Sequence, residues 1–194
     1  MKRIILASNS PRRRELLSGL GYSYEVRVLN DIDESYPATL RDSEVAAYIS
    51  RTKADAYRPT MADDELIITA DTIVCLDGKV LGKPTDEADA IAMLHSLSGR
   101  THQVYTGVTV MTAEKSSTFV SRSDVTFAEL ADEEILHYVT QYRPMDKAGA
   151  YGIQEWIGFV GVERIEGSYF NVMGLPVQRL YSELKKYLKK DCED

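Results

Sequence analysis

The chain has 194 residues and a mass of 21.8 kDa, room for one large domain or two closely joined lobes at roughly 100–200 residues per domain. Hydrophobic residues make up 44% and charged residues 27%, which excludes a disordered or fibrous chain. With 23 Lys plus Arg against 30 Asp plus Glu the net charge is −7, so the bulk electrostatics for grasping a nucleic-acid backbone are missing, although one local basic site could still hold a phosphate.

Alternating strands and helices are predicted along the chain. Residues 3–7 form a short apolar strand, followed by a helix from Pro11 to about Leu20 with Asn9 or Ser10 as its N-cap. Asp42 or Ser43 opens a helix to about Tyr57, and 66–76 (LIITADTIVCL) reads as a nearly unbroken apolar strand. Asp77-Gly78 is a hairpin turn into 79–81, and Thr85 is expected to cap a helix to about Leu97, stopped by Gly99. Strands follow near 102–112 and 117–127, then a helix over 132–142, a glycine-bearing loop over 144–154 and a strand over 157–165. The last helix starts at Pro176, with Val177, Leu180, Tyr181, Leu184 and Leu188 on one face and Lys185, Lys186, Lys189 and Lys190 near its C-terminus. The mixture predicts an α/β fold with a mixed sheet. No run approaches the ~20 apolar residues of a membrane span, and the N-terminus turns polar too soon for a signal peptide. Cys75 and Cys192 show no metal spacing, so a cytoplasmic protein is expected, without membrane or nucleic-acid partners.

Two features of this pattern are unusual. Arg12, Arg13 and Arg14 occupy the first turn of a helix, where the dipole disfavours cations by roughly 0.3–1 kcal/mol each. A docked polyanion would reverse that cost, gripped by backbone N–H groups, the Ser8 or Ser10 hydroxyl and an arginine fork. Successive helical residues point about 100° apart, so Arg12 and Arg13, rather than all three, are the candidates. A solvated cluster pairing with surface carboxylates explains the run equally well. Asp71 is the only carboxylate within 66–76, and an isolated buried charge must be paired, metal-bound or proton-shifted. Those are also the conditions for a catalytic base or a metal ligand. Lys83, in Gly82-Lys83-Pro84, is a candidate to return beside it. The competing reading breaks the strand in two, with Asp71-Thr72 as a turn.

Weaker candidates are the acidic run Asp31, Asp33 and Glu34, which suits a hard cation such as Mg²⁺, and Gln154, whose amide could meet a base edge. Lys53 is ordinary late on a helix. The three histidines have no ligand spacing, and the GxSxG, GxxxxGK[ST] and GxGxxG patterns are absent.

Together these segments resemble the Maf family of nucleoside triphosphate pyrophosphatases. The resemblance is carried by Leu6 to Leu17 (LASNSPRRRELL), Asp33-Glu34, Lys53-Ala54, Ala70-Asp71-Thr72, Gly82-Lys83-Pro84, Ser98-Gly99-Arg100, Tyr105-Thr106-Gly107-Val108, Asp146 to Gln154 (DKAGAYGIQ) and Gly167 to Pro176. It implies a single two-lobed domain over 1–194, built around a long twisted mixed sheet with a central cleft, and commonly a homodimer. It also implies cleavage of a nucleoside triphosphate to the monophosphate and pyrophosphate with a divalent metal, Mg²⁺ or Mn²⁺. The DKAGAYGIQ text resembles the branch acting on dTTP and UTP; modified pyrimidine nucleotides are open as substrates. On that basis Asp71 is the catalytic acid and, with Glu34, a metal ligand. Arg12, Arg13, Lys53 and Lys83 bind phosphates, Ser8 lies in the binding turn, and Arg13, Thr72 and Gln154 bear on base choice. Two departures are a third arginine at 14 and Glu155-Trp156 after the glutamine, where a small residue is common. The alternative function is a non-catalytic nucleotide-binding regulator of septum formation.

Overall fold

The computed structural model describes residues 2–188. Its strands are β1 (Arg3–Leu6), β2 (Tyr24–Val26), β3 (Glu65–Leu76), β4 (Lys79–Leu81), β5 (Thr101–Met111), β6 (Ser116–Phe127) and β7 (Val162–Glu166). They form a seven-stranded sheet in the order β2-β1-β3-β5-β6-β7, with β4 pairing β3. β1 runs parallel to both β2 and β3, whereas β3–β4 and β6–β7 are antiparallel, so the sheet is mixed as expected. The helices are α1 (Pro11–Ser18), α2 (Ser43–Tyr57), α3 (Glu87–Leu97), α4 (Asp132–Tyr142), α5 (Trp156–Val160), α6 (Tyr169–Met173) and α7 (Val177–Leu188). None of the described helices is long and apolar enough to cross a membrane.

The chain groups into two compact units. The first comprises Met1–Asp71, Thr106–Ser121 and the chain from Gly174 onward; the second comprises Thr72–Tyr105 and Arg122–Met173. In the first, Ile5, Ala54, Tyr57, Ile67 and Met111 pack into one buried cluster. Gly107 in β5 lies so close to α2 that a Cβ there would stand 2.2 Å from the Ala46 carbonyl oxygen, so the helix docks on the sheet only because that position is glycine. On α7, Leu180 and Leu184 are buried and Tyr181 is exposed; Lys189, Lys190 and Cys192 lie outside the described residues. In the second unit α3 packs against α4. There His102, Phe127 and Tyr151 meet edge to face, with His102 Nε2 2.7 Å from the Tyr151 hydroxyl.

Three expectations need correction. The region 157–165 is not one strand: Trp156–Val160 is a helical turn, and the strand begins at Val162. An unperiodic apolar run does not distinguish a buried helix from a strand. Here the Gly158 N–H bonds the Glu155 carbonyl and the Gly161 N–H the Ile157 carbonyl, both at 2.9 Å, and that local bonding decides for the helix. The α3 cap is Asp86, whose Oδ1 accepts the Asp89 N–H at 2.8 Å; Thr85 instead donates its own N–H to Asp89 Oδ2 at 2.9 Å. Helix α1 ends at Ser18, short of Leu20.

Candidate active site

The β1–α1 turn is organised by its two serines. Ser10 caps α1, its Oγ accepting the Arg13 N–H at 3.4 Å, and the first turn itself contains no acidic residue. Buried Ser8 accepts the Ser10 N–H at 3.2 Å and Arg13 Nη1 at 3.5 Å, while Arg13 Nε donates to the Gly174 carbonyl at 2.8 Å. Arg13 is therefore held by its fork in a fixed pose. Burial draws its pKa below the usual guanidinium value, nearby Asp71 and Glu34 push it back up, and Arg12 lowers it again. Arg14 turns elsewhere, donating to Asn9 Oδ1 at 3.2 Å.

β3 is continuous from Glu65 to Leu76, so Asp71 stands inside a strand and not on a turn. Its side chain is 12% exposed. Side chains two apart share a face of a strand, and residues three apart share a face of a helix. Thr69 Oγ1 donates to the Ser50 carbonyl at 2.6 Å, and the Ser50 and Thr109 hydroxyls meet at 3.1 Å. That stitch between β3 and α2 sets the register one step further along, where Lys53 Nζ lies 2.8 Å from Asp71 Oδ1. The same ammonium lies 3.1 Å from Glu34 Oε1, whose side chain is 50% exposed. Asp71, Glu34, Lys53 and Arg13 are thus one electrostatic group, with Arg12 beside Arg13. Two hard carboxylate oxygens converging on one cationic nitrogen form a donor set that suits Mg²⁺ or Mn²⁺. Among the described residues there is no cluster of three or more His, Cys, Asp or Glu able to hold a metal, so such an ion would draw its remaining ligands from water and a bound anion.

The other expected residues belong to the second unit. Thr72 follows Asp71 half-buried, and Lys83 is exposed two residues beyond β4. Gln154 is half-buried, and its Oε1 is buried without a hydrogen-bond partner. A buried acceptor left unmade costs about 1–3 kcal/mol, which marks a position waiting for a donor. Around this loop lies a network in which Tyr138 joins Asp146, Lys147 and Glu155. The Tyr138 hydroxyl donates to Glu155 Oε2 and accepts the Gly152 N–H at 3.0 Å, and Lys147 Nζ lies 3.1 Å from Glu155 Oε1 and 2.7 Å from Asp146 Oδ1. The available signals were the Asp146-Lys147 pair at the head of the DKAGAYGIQ text and Glu155 just after it; Tyr138 lies on α4 and carried none.

The mixed α/β sheet with flanking helices belongs to a recognisable fold class. A solved HAM1 protein from Coxiella burnetii covers 96% of this chain and 100% of its own length at a TM-score of 0.51 and 14% identity, a likeness of fold alone. A family model described as Maf-like protein matches residues 3–187, and the chain belongs to the Maf family. A relative from Phocaeicola vulgatus named dTTP/UTP pyrophosphatase is 66% identical over 184 residues, 95% of each chain. Another of that name from Bacteroides thetaiotaomicron is 63% identical over 183 residues, 94% of this chain and 95% of that one.

Proposed function

We propose that this protein hydrolyses dTTP and UTP to the monophosphate and pyrophosphate. The observation that carries the reading is the Lys53 ammonium shared between Asp71 and Glu34, with Arg13 held beside them; the names of the relatives point the same way. The reaction is an in-line displacement in which a water oxygen bonds to the α-phosphorus as the bond to the bridging oxygen breaks. Catalysis is then mainly positioning and charge stabilisation. Asp71 is held through Oδ1, and Oδ2 takes the proton from the attacking water. Arg12, Arg13 and Lys53 bind phosphate oxygens and neutralise the departing pyrophosphate. A divalent cation held by Asp71 and Glu34 would supply further neutralisation and a more acidic water. On the second unit, Lys83 adds a phosphate-binding cation and Thr72 bears on substrate choice. Gln154 pairs with the base, Oε1 accepting N3–H and the amide N–H donating to O4 of uracil or thymine.

A non-catalytic regulator would not require a buried acid beside a lysine ammonium, and the relatives' names favour the hydrolase. A panel of nucleoside triphosphates at fixed Mg²⁺, read by pyrophosphate release, tests the proposal. Highest kcat/KM for dTTP and UTP with pyrophosphate as product is expected. Tight binding without turnover, or release of orthophosphate, would overturn it. The homodimer implied by the family is checked by light scattering on the same preparation.

A further inference from the structure

We infer that Tyr138, Glu155 and Lys147 form a positioning network that sets the Gln154 carboxamide for pyrimidine recognition; this rests on the base reading of Gln154 above. The loop is tied at three points on either side of that glutamine. Lys147, buried at its start, joins Glu155, one residue past Gln154, at 3.1 Å. Glu155 has both oxygens engaged, Oε1 by Lys147 and Oε2 by the Tyr138 hydroxyl. That hydroxyl also accepts the Gly152 N–H at 3.0 Å, two residues before Gln154. Gly152 is pressed onto the ion pair: a Cβ there would stand 2.8 Å from Glu155 Cδ and 3.0 Å from Lys147 Cε. Between these ties the backbone passes through positive φ at Gly149 (69°) and Ala150 (58°) and returns to extended geometry at Tyr151. Alanine in that region is strained, so the loop needs external support to keep one path.

Burying an ammonium and a phenol beside a half-buried carboxylate is costly unless each is satisfied, and a satisfied network rigidifies its surroundings. What it surrounds here is a side chain whose acceptor has no protein partner. None of the three network residues touches that acceptor, so they act on a substrate only through the pose of Gln154.

The test measures kcat and KM for UTP and dATP in four proteins: wild type, Tyr138→Phe, Gln154→Ala and the double variant. Losing one hydrogen bond of this type corresponds to about a tenfold change. Tyr138→Phe is expected to lower the UTP-over-dATP preference by up to about tenfold, mainly through KM for UTP. Tyr138→Phe should add nothing in the Gln154→Ala background. An additive double variant, or an equal loss for both nucleotides, would overturn the inference. Unchanged preference in Gln154→Ala would instead overturn the base reading itself. Thermal unfolding accompanies each variant. If Tyr138→Phe is not folded, Glu155→Gln carries the same comparison, since it keeps volume and an acceptor for Tyr138 while losing the Lys147 pair.

Discussion

Two lysines in this protein each join two carboxylates at similar distances, and the company they keep separates their roles. Lys53 joins Asp71 at 2.8 Å and Glu34 at 3.1 Å in the first unit; Lys147 joins Asp146 at 2.7 Å and Glu155 at 3.1 Å in the second. Around Lys147 the carboxylate oxygens, the Tyr138 hydroxyl and a backbone N–H complete one another. Around Lys53 the neighbours are further cations, Arg13 and Arg12, in the first turn of α1. On the function proposed, the same ion-pair chemistry serves as a closed brace in one place and as an exchangeable contact in the other. A lysine that can leave its carboxylate for a phosphate suits catalysis; a lysine with nowhere else to go suits support.

The sharpest way to break this comparison is Asp71→Asn. It should lower kcat by about 10²–10⁴-fold, the usual contribution of a positioned base, with the thermal unfolding midpoint retained. Persistent pyrophosphate release would remove Asp71 from its role. Next come the two lysines. Lys147→Met should cost about 1–3 kcal/mol in chemical denaturation, because Glu155 loses its cation and keeps only the Tyr138 hydroxyl. Lys53→Met should cost less, because Arg13 still faces Asp71, yet it should lose more activity. Equal stability losses would erase the distinction drawn above.

A third test uses His102, which burial pulls down to about 4, opposed weakly by Asp124. Its unfolded pKa is near 6.5, so between 6.5 and about 4 the unfolded chain binds more protons than the folded one. Stability is thus present in full above 6.5 and lost as pH falls toward 4, by about 3 kcal/mol for this group. Denaturation midpoints across that window should slope in wild type and flatten in His102→Gln. The smallest effect expected is on Gln154→Ala, about a tenfold loss of pyrimidine preference with little change in stability. Comparing kcat/KM for UTP and dATP reads it directly.

Much of the local structure was legible in the residues. Ser10 and Pro11 start α1 as a cap and a first-turn proline should, and Asp77-Gly78 turns the β3–β4 hairpin with both residues at positive φ. Gly99, also at positive φ, follows α3. The apolar run 66–76 pointed to a strand with Asp71 as its one acid, against a competing reading that broke it there, and β3 proves continuous from Glu65 to Leu76. Where the chain was unperiodic, as in 156–165, sequence alone did not distinguish a short helix from a strand.

The sequence by itself determined most of the elements and which residues are chemically out of place in them: three arginines at a helix start, an acid in an apolar strand, a glutamine in a glycine loop. Their partners were decided by tertiary packing. That Lys53 meets Asp71 follows from the Thr69–Ser50 contact and the close approach permitted by Gly107, and that Tyr138 meets Glu155 follows from how α4 lies against the loop. Spacing along the chain reports the face a side chain occupies within its own element. Only docking between elements, set by shape and a few hydrogen bonds, chooses what that face encounters.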